Sequence, residues 1–238
     1  MHKGTLKSPQ KATRSSWNDA AAQLRKLQPV ARRFYDRDPK LVAPQLLGKL
    51  LIRRQGRKLL AGRIVEVEAY LGQDDPASHA FRGPTDRNRV MFGPPGFAYV
   101  YFTYGMHYCV NVTCFEEGTA GAVLIRALEP LAGIEDMAVN RDLNLSLETE
   151  HVRVLRNLTS GPARLCEALD ITRARDDGKD LASPKSDLWI ASDLSRSGEI
   201  ACSPRVGITQ AADWPLRFYV VGNPYVSGPR NTTNNMTI

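Results

Sequence analysis

Apolar and polar positions along the chain change period several times, and each change marks an element. After a polar, basic stretch to about Ser16, a short helix is expected from Trp17 to Gln28, ended by Pro29; its apolar content is thin, which favours partial disorder. Asp38-Pro39 opens a second helical pattern that carries Leu41, Val42, Leu46, Leu47 and Leu50 and is interrupted by Pro44 and Gly48. From Leu59 the period becomes two, with strand-like runs at Leu59 to Leu71, Phe97 to Tyr104, Met106 to Cys114, Gly121 to Leu128 and Leu216 to Val221. Helical patterns are expected from Pro130 to Asn140 and from Ala163 to Leu169, the second opened by a hydroxyl cap and an early proline in Thr159-Ser160-Gly161-Pro162. Arg175 to Ser186 reads as an acidic surface loop. Strands come first and helices mostly later, so the expected fold class is α+β, built on a curved antiparallel sheet with peripheral helices.

A chain of 238 residues, 42% hydrophobic and without a composition break, is long enough to bury one sizeable core. The expected organisation is a basic, partly disordered extension over 1–30, one domain over 31–229 and a polar tail over 230–238. The formal charge of +7 sits wholly in residues 1–33, which hold eight Lys or Arg against one acid, Asp19; the remainder balances. Net charge is therefore no argument for a nucleic-acid partner, although a basic tail touching a polyanion would add salt-sensitive affinity. Cys109, Cys114, Cys166 and Cys202 form no CxxC pair and have no His partner at zinc-ligand spacing, so they are expected to be reduced, mostly buried thiols and no metal site is expected. Residues 1–33 carry no apolar run of signal-peptide length and no stretch approaches a membrane span, which favours a soluble, intracellular protein.

In Ile64-Val65-Glu66-Val67-Glu68-Ala69-Tyr70-Leu71, alternation puts Val65, Val67, Ala69 and Leu71 on one face and Glu66, Glu68 and Tyr70 on the other. The two glutamates would stand about 7 Å apart at their bases and raise each other's hold on a proton unless a cation intervenes. An ordinary half-exposed strand shows the same alternation, so the pattern alone assigns no chemistry.

The company it keeps is more informative. A long loop from Asp74 to Gly96 follows directly and holds His79, Arg82, Arg87 and Arg89, whose cations could grip phosphates or simply be solvated. Phe97-Ala98-Tyr99-Val100-Tyr101-Phe102-Thr103-Tyr104-Gly105 places Tyr99 and Tyr101 on one strand face and Tyr104 at the expected hairpin tip, where a large ring could wedge between stacked bases. Arg126, set in Val123-Leu124-Ile125-Arg126-Ala127, needs a partner: a phosphate, Glu68 or another acid.

Ile64 to Gly72, Arg87-Asn88-Arg89-Val90-Met91-Phe92, Tyr99 to Met106, Leu124-Ile125-Arg126-Ala127-Leu128-Glu129-Pro130, Ser160-Gly161-Pro162-Ala163-Arg164-Leu165-Cys166 and Arg217-Phe218-Tyr219-Val220, taken together and in order, resemble the alkyladenine (3-methyladenine) DNA glycosylase family. The resemblance spans about Ala31 to Ser227. It implies a partly barrel-like sheet in one domain, a monomer, no cofactor, and a partner in double-stranded DNA containing damaged purines. It further implies hydrolysis of the N-glycosidic bond of alkylated or deaminated purines, leaving an abasic site without strand cleavage. By the same resemblance Glu68 matches the general base, Arg126 a residue near the catalytic water, and Tyr70, His79 and Tyr101 the pocket for the everted base. Asn111 matches a pocket residue that disfavours guanine and Tyr104 the intercalating residue. Glu66 has no catalytic counterpart and is expected to be solvent-exposed or structural.

Two other readings compete: a metal-dependent hydrolase using Glu66, Glu68 and His79, and a non-enzymatic damaged-DNA binding module using only Tyr104 and the basic loop.

Overall fold

The computed structural model describes residues 23–103, 105–145, 152–193, 198–228 and 236–237. Most of the expected N-terminal helix and basic extension lies outside these residues, as does most of the polar tail. Leu24, the first apolar residue described, is buried against Leu50, Ile52 and Trp189.

Helix α1 (Pro39–Leu46) is capped by Asp38, whose carboxylate accepts from the Lys40 N–H at 2.8 Å. It stops earlier than the apolar pattern suggests. Gly48 takes φ +83° and Leu50 already begins strand β1 (Leu50–Gln55), which has no readable alternation because its first four residues are all buried. The strands β2 (Lys58–Tyr70), β3 (Ala98–Thr103), β4 (His107–Thr113) and β5 (Ala122–Ala132) follow. Helices α2 (Ile134–Asn140), α3 (Val152–Thr159), α4 (Pro162–Ala168) and α5 (Arg173–Asp176) precede the short strands β6 (Leu188–Ala191), β7 (Ile200–Ser203), β8 (Arg217–Val220) and β9 (Met236–Thr237). The pattern signals neither β6 nor β7, whose four residues are too few to display a period.

The pairing is antiparallel throughout, in the order β3-β4-β5-β2-β8-β7-β9, with β1 joining β2 to β6. β2 is the spine. Its one edge pairs with β5 over residues 61–70, while the other is shared between β1 at residues 58–63 and β8 at residues 66–68, so the sheet divides and curls into a half-barrel. The α+β class with a curved antiparallel sheet is thus the observed architecture. At the crossing of β2 and β5 a Cβ on Gly62 would lie 2.7 Å from the Leu128 Cβ, so only glycine permits this approach.

Three register shifts mark the β2–β5 pairing, the first between Ala61 and Gly62. Val65 is an extra residue of β2 between the pairs Ile64–Leu128 and Glu66–Ala127, and Arg126 is an extra residue of β5 before Val67–Ile125. Each reverses the in–out parity of its strand: Ile64 and Val65 both enter the core, as do Ala127 and Leu128. Val65, Val67 and Ala69 pack into the core as expected, under a layer formed by α1, α2, α3 and α4.

Three expectations are corrected. The helix read from Pro130 starts only at Ile134, because β5 continues to Ala132 and Pro130 sits opposite Gly62 at a register shift, where a missing N–H is tolerated. No hydroxyl caps α4: Thr159 instead donates to the Leu128 carbonyl at 2.6 Å, and Gly161 occupies the cap position ahead of Pro162. The stretch from Arg175 is not merely a surface loop, since Asp176 is buried against Arg53 at 2.7 Å and Lys179 at 2.8 Å, and these cations hold its carboxyl below the ordinary value against the upward push of burial.

β2 ends at Tyr70, and Gly72 turns the chain into the long loop with φ +69°; an added Cβ would lie 2.0 Å from the Ala120 carbonyl oxygen. Gly72→Ala is therefore expected to cost at least about 2 kcal/mol and lower Tm by about 4–8 °C, which calorimetry measures directly.

Candidate active site

Sheet register alone assembles much of the site. Tyr99 pairs with Asn111, Asn111 with Leu124, Leu124 with Glu68 and Glu68 with Arg217, so one transverse row crosses β3, β4, β5, β2 and β8. Directly opposed residues share a face, and this row lies on the face away from the helices. The next β2 residue on that face, Tyr70, is opposite Ala122.

Glu66 and Glu68 are both fully buried, so the face is not the half-exposed surface that simple alternation allowed. Cations intervene between them. Arg126 Nε donates to Glu66 Oε1 at 2.8 Å, while its Nη1 lies 3.2 Å from Glu68 Oε1. Arg217 Nε donates to the same Glu66 oxygen at 2.8 Å, and the Ser227 N–H donates to Oε2 at 2.6 Å. Burial pushes the Glu66 carboxyl up, but Arg126 and Arg217 together bring it below the ordinary glutamate value. Burial pushes the Arg126 guanidinium down, and Glu68 and Glu66 more than reverse this.

Glu68 makes two further contacts. The Tyr70 hydroxyl donates to Oε2 at 3.0 Å and the Val206 N–H to Oε1 at 2.7 Å. An ionised carboxylate offers about four acceptor positions, so with two hydrogen bonds and the Arg126 ion pair in place Glu68 can still accept from a small ligand such as water. Tyr70 stays a neutral phenol, since burial and the adjacent Glu68 both push its titration well up.

Beside Glu68 opens a cleft of about 260 Å³, partly continuous with solvent, lined by Tyr70, Ala77, Ser78, His79, Met91, Tyr99, Tyr101, Asn111 and Ala122. His79 packs edge-on against Tyr101 with centroids 4.5 Å apart, and its Nδ1 is 2.9 Å from the Tyr99 hydroxyl. Burial, then Arg87, push the His79 imidazole below its usual value, so it is neutral at pH 7. Burial pushes the Tyr99 phenol up to about 12. A neutral Tyr99 donating to Nδ1 leaves the proton of His79 on Nε2, available as a donor. Asn111 is buried, with Nδ2 donating to the Tyr99 carbonyl at 3.1 Å.

Of the residues singled out in the sequence, Tyr70, His79, Tyr101 and Asn111 thus line one cleft, and Glu68 with Arg126 lies at its edge through Tyr70. Arg82, Arg87 and Arg89 are exposed on the loop. Arg89 pairs with Asp86, whereas Arg87 lies 5.9 Å from the Tyr101 ring centroid and reaches the Phe102 carbonyl at 3.4 Å. Tyr104 lies outside the described residues.

Other contributors carried weaker signals. Arg217, like Arg126, is an arginine in an apolar strand and so demanded a partner. Nothing near Arg205 announced that it would be buried, bidentate on Asp75 (Nη2 to Oδ1 at 2.9 Å), bonded to the Ala69 carbonyl and stacked 4.6 Å from the Tyr70 ring centroid. Asp75 also accepts from the Leu71 and Ala77 amides, so this pair ties the start of the cleft loop to the segment that presents Val206 to Glu68.

The four cysteines are free and buried. Among the described residues no helix is long and apolar enough to cross a membrane, and no three His, Cys, Asp or Glu side chains gather as metal ligands. Oε1 of Glu66 is in addition taken by two guanidiniums, whose charge opposes a metal cation there, and Oε2 by the Ser227 N–H.

Fold and site together define an α+β protein with an aromatic cleft beside a guanidinium-bound carboxylate. The family model described as "Methylpurine-DNA glycosylase (MPG)" matches residues 33–224, and the chain belongs to that family. A Koribacter versatilis protein with the printed name "Putative 3-methyladenine DNA glycosylase" is 56% identical over 209 residues, covering 88% of this chain and 98% of its own. Proteins of the same printed name from Burkholderia lata (51% identical over 201 residues, 84% of this chain and 91% of its own) and Methanoculleus marisnigri (48% over 200 residues, 82% and 96%) are similar along nearly the same span.

Asp75→Asn leaves Arg205 buried without a counter-charge, and the expected loss is about 3–5 kcal/mol of stability. Urea titration should show a lower midpoint at unchanged slope; a midpoint equal to wild type would mean that the pair does not hold the loop.

Proposed function

We propose that this protein is a monofunctional DNA glycosylase that flips an alkylated or deaminated purine out of duplex DNA and hydrolyses its N-glycosidic bond with water activated by Glu68. The observation that carries the proposal is the placement of Glu68: buried, held by Arg126, Tyr70 and the Val206 N–H, and next to a cleft walled by aromatic rings.

The glycosidic bond of a stacked base is inaccessible, so the nucleotide must rotate out and its stacking must be replaced. In the proposed complex Tyr104 fills the gap, and the base lies between Tyr70 and Tyr101. A purine alkylated on a ring nitrogen is cationic, so electron-rich rings attract it by roughly 0.5–2 kcal/mol. Burial keeps Tyr70 and Tyr101 neutral phenols, and His79 is neutral at pH 7, so none of these side chains repels a positive base. His79 Nε2–H offers a donor to acceptors on the purine edge, which gives neutral, deaminated purines a directional contact. Asn111, buried and turned toward the cleft, crowds the position where guanine carries its additional amino group.

As the base departs, positive charge develops on the sugar. The Glu68 carboxylate stabilises that charge and accepts a proton from the water that attacks. Arg126 and the Val206 N–H fix one oxygen and Tyr70 the other, which aims the remaining acceptor position. A lyase would require an amine nucleophile. Among the described residues no lysine lines the cleft; Lys58 is paired with Asp136, and Lys179 with Asp176 and Asp187. Arg82, Arg87 and Arg89 are proposed to contact DNA phosphates around the cleft mouth. The reaction needs no metal or organic cofactor.

Glu68→Gln is expected to bind lesion-containing duplex normally and to lose at least about a hundredfold in single-turnover excision. Near-normal excision by that variant would refute the assigned base. The wild-type product should be free purine and a strand that breaks only on alkali treatment; strand scission without alkali, or a borohydride-trapped covalent complex, would instead indicate a lyase.

A further inference from the structure

Glu66 is a fully buried carboxylate for which the proposed reaction has no task. A side chain needed only to fill space would be apolar there, since burying a charge is costly even when it is paired. Its surroundings are built with unusual care. Arg217, besides its Nε contact to Glu66, donates through Nη1 to Ser203 Oγ and through Nη2 to the Ser227 carbonyl, each at 3.0 Å. The Ser227 N–H returns to Glu66 Oε2, and Arg126 Nη2 reaches Ser227 Oγ at 3.4 Å. Arg126 is the shared member. Its Nε is committed to Glu66, and that commitment directs Nη1 toward Glu68.

We propose that Glu66 is a positioning residue for the Glu68 reaction: it orients Arg126 through Nε and balances the second guanidinium, Arg217, so that Glu68 works in a cluster of zero net charge. The proposal rests on Glu68 being the base. Two carboxylates and two guanidiniums sum to zero, and losing the charge of Glu66 leaves Glu68 alone against two cations. The remaining groups around Glu68 are the Tyr70 hydroxyl on its own strand, Cys109 from β4 and the Val206 N–H, while Arg205 lies behind Tyr70. None of these carries negative charge at neutral pH. An excess of positive charge favours the ionised carboxylate but makes it a weaker base and a weaker partner for the developing sugar cation.

The test is single-turnover excision from alkylated duplex as a function of pH, run beside affinity for duplex carrying a stable abasic analogue and thermal melting. The variants are Glu66→Gln, the double variant Glu66→Gln/Arg217→Gln, which removes one charge of each sign, and Glu68→Gln. For Glu66→Gln the expected result is a plateau rate lower by about tenfold or more, affinity within about threefold of wild type, and an acid limb moved down by about one pH unit. In the double variant the limb should return to its wild-type position, because neutrality is restored. Wild-type rate and limb in Glu66→Gln, a limb left displaced in the double variant, or a rate loss that merely follows lost affinity and folded fraction would each overturn the proposal. If Glu66→Gln does not fold, the double variant decides: a lowered plateau with an unmoved limb supports the proposal, and a wild-type plateau overturns it. Near-normal excision by Glu68→Gln would remove the base assignment itself, whereas an inactive Glu68→Gln beside an unaffected Glu66→Gln would overturn only the role given to Glu66.

Discussion

Two glutamates on alternate positions of one strand repel each other, and taking both out of water is tolerable only if cations accompany them. Much of this molecule's irregularity serves that requirement. β5 contributes Arg126 as the extra residue of a bulge, at the level of β2 where Glu66 and Glu68 stand. β8 pairs with β2 over residues 66–68 only, which brings Arg217 to Glu66. The chain beyond β8 then returns so that Ser227 can bond both Glu66 and Arg217. The Gly161 N–H donates to the Arg126 carbonyl at 3.0 Å, so the turn opening α4 also secures the bulge from behind. Sheet curvature and site electrostatics are here two consequences of the same pairing.

A second constraint concerns ionisation in the cleft. Its aromatic walls are phenols that burial holds neutral, and its imidazole is neutral because burial and Arg87 both oppose a further positive charge. Charge is thereby kept at the edge of the cleft, on Glu68 and Arg126, while the walls offer ring faces and the polar edge of a neutral imidazole. The residues that line the cleft thus present no charge of their own to a planar ring, and Arg87 beside Tyr101 is the neighbouring cation. This arrangement also leaves the carboxylate as the nearest fixed negative charge to a bond at that ring's edge, which is where the proposed reaction needs it.

The alternating run from Ile64 to Leu71 was legible because one face of β2 packs on the core and the other carries polar groups, the condition under which period two survives in a sequence. Its half-exposed interpretation failed because ion pairing allows a polar face to be buried, and pairing partners sixty to one hundred and fifty residues away leave no local trace. Arg126 could be recognised as needing an acid, but not as bonding both Glu66 and Glu68, since that depends on a bulge that only the register reveals. β1 was hidden by burial on both faces, Arg53 within it being buried against Asp176. Arg205 had no signal, because its partner Asp75 and the Tyr70 ring it covers are brought together solely by the path of the loops.

The distribution of charge constrains how such a site can meet a polyanion. Residues 34–238 carry as many acids as bases, so the domain provides no general field to attract DNA, and binding must rest on where individual cations point. The ion pairs sort them. Arg53, Arg63, Arg126, Arg205 and Arg217 are spent on buried or half-buried carboxylates, and Arg89 is matched by Asp86. Arg87 is different, for it is exposed yet leans on the Tyr101 ring and on the Phe102 carbonyl at the start of the hairpin tip. A phosphate bound by Arg87 would therefore be registered directly against a wall of the cleft. Contact with the backbone and alignment of the base would then be one mechanical event, which suits a domain with little long-range electrostatic attraction.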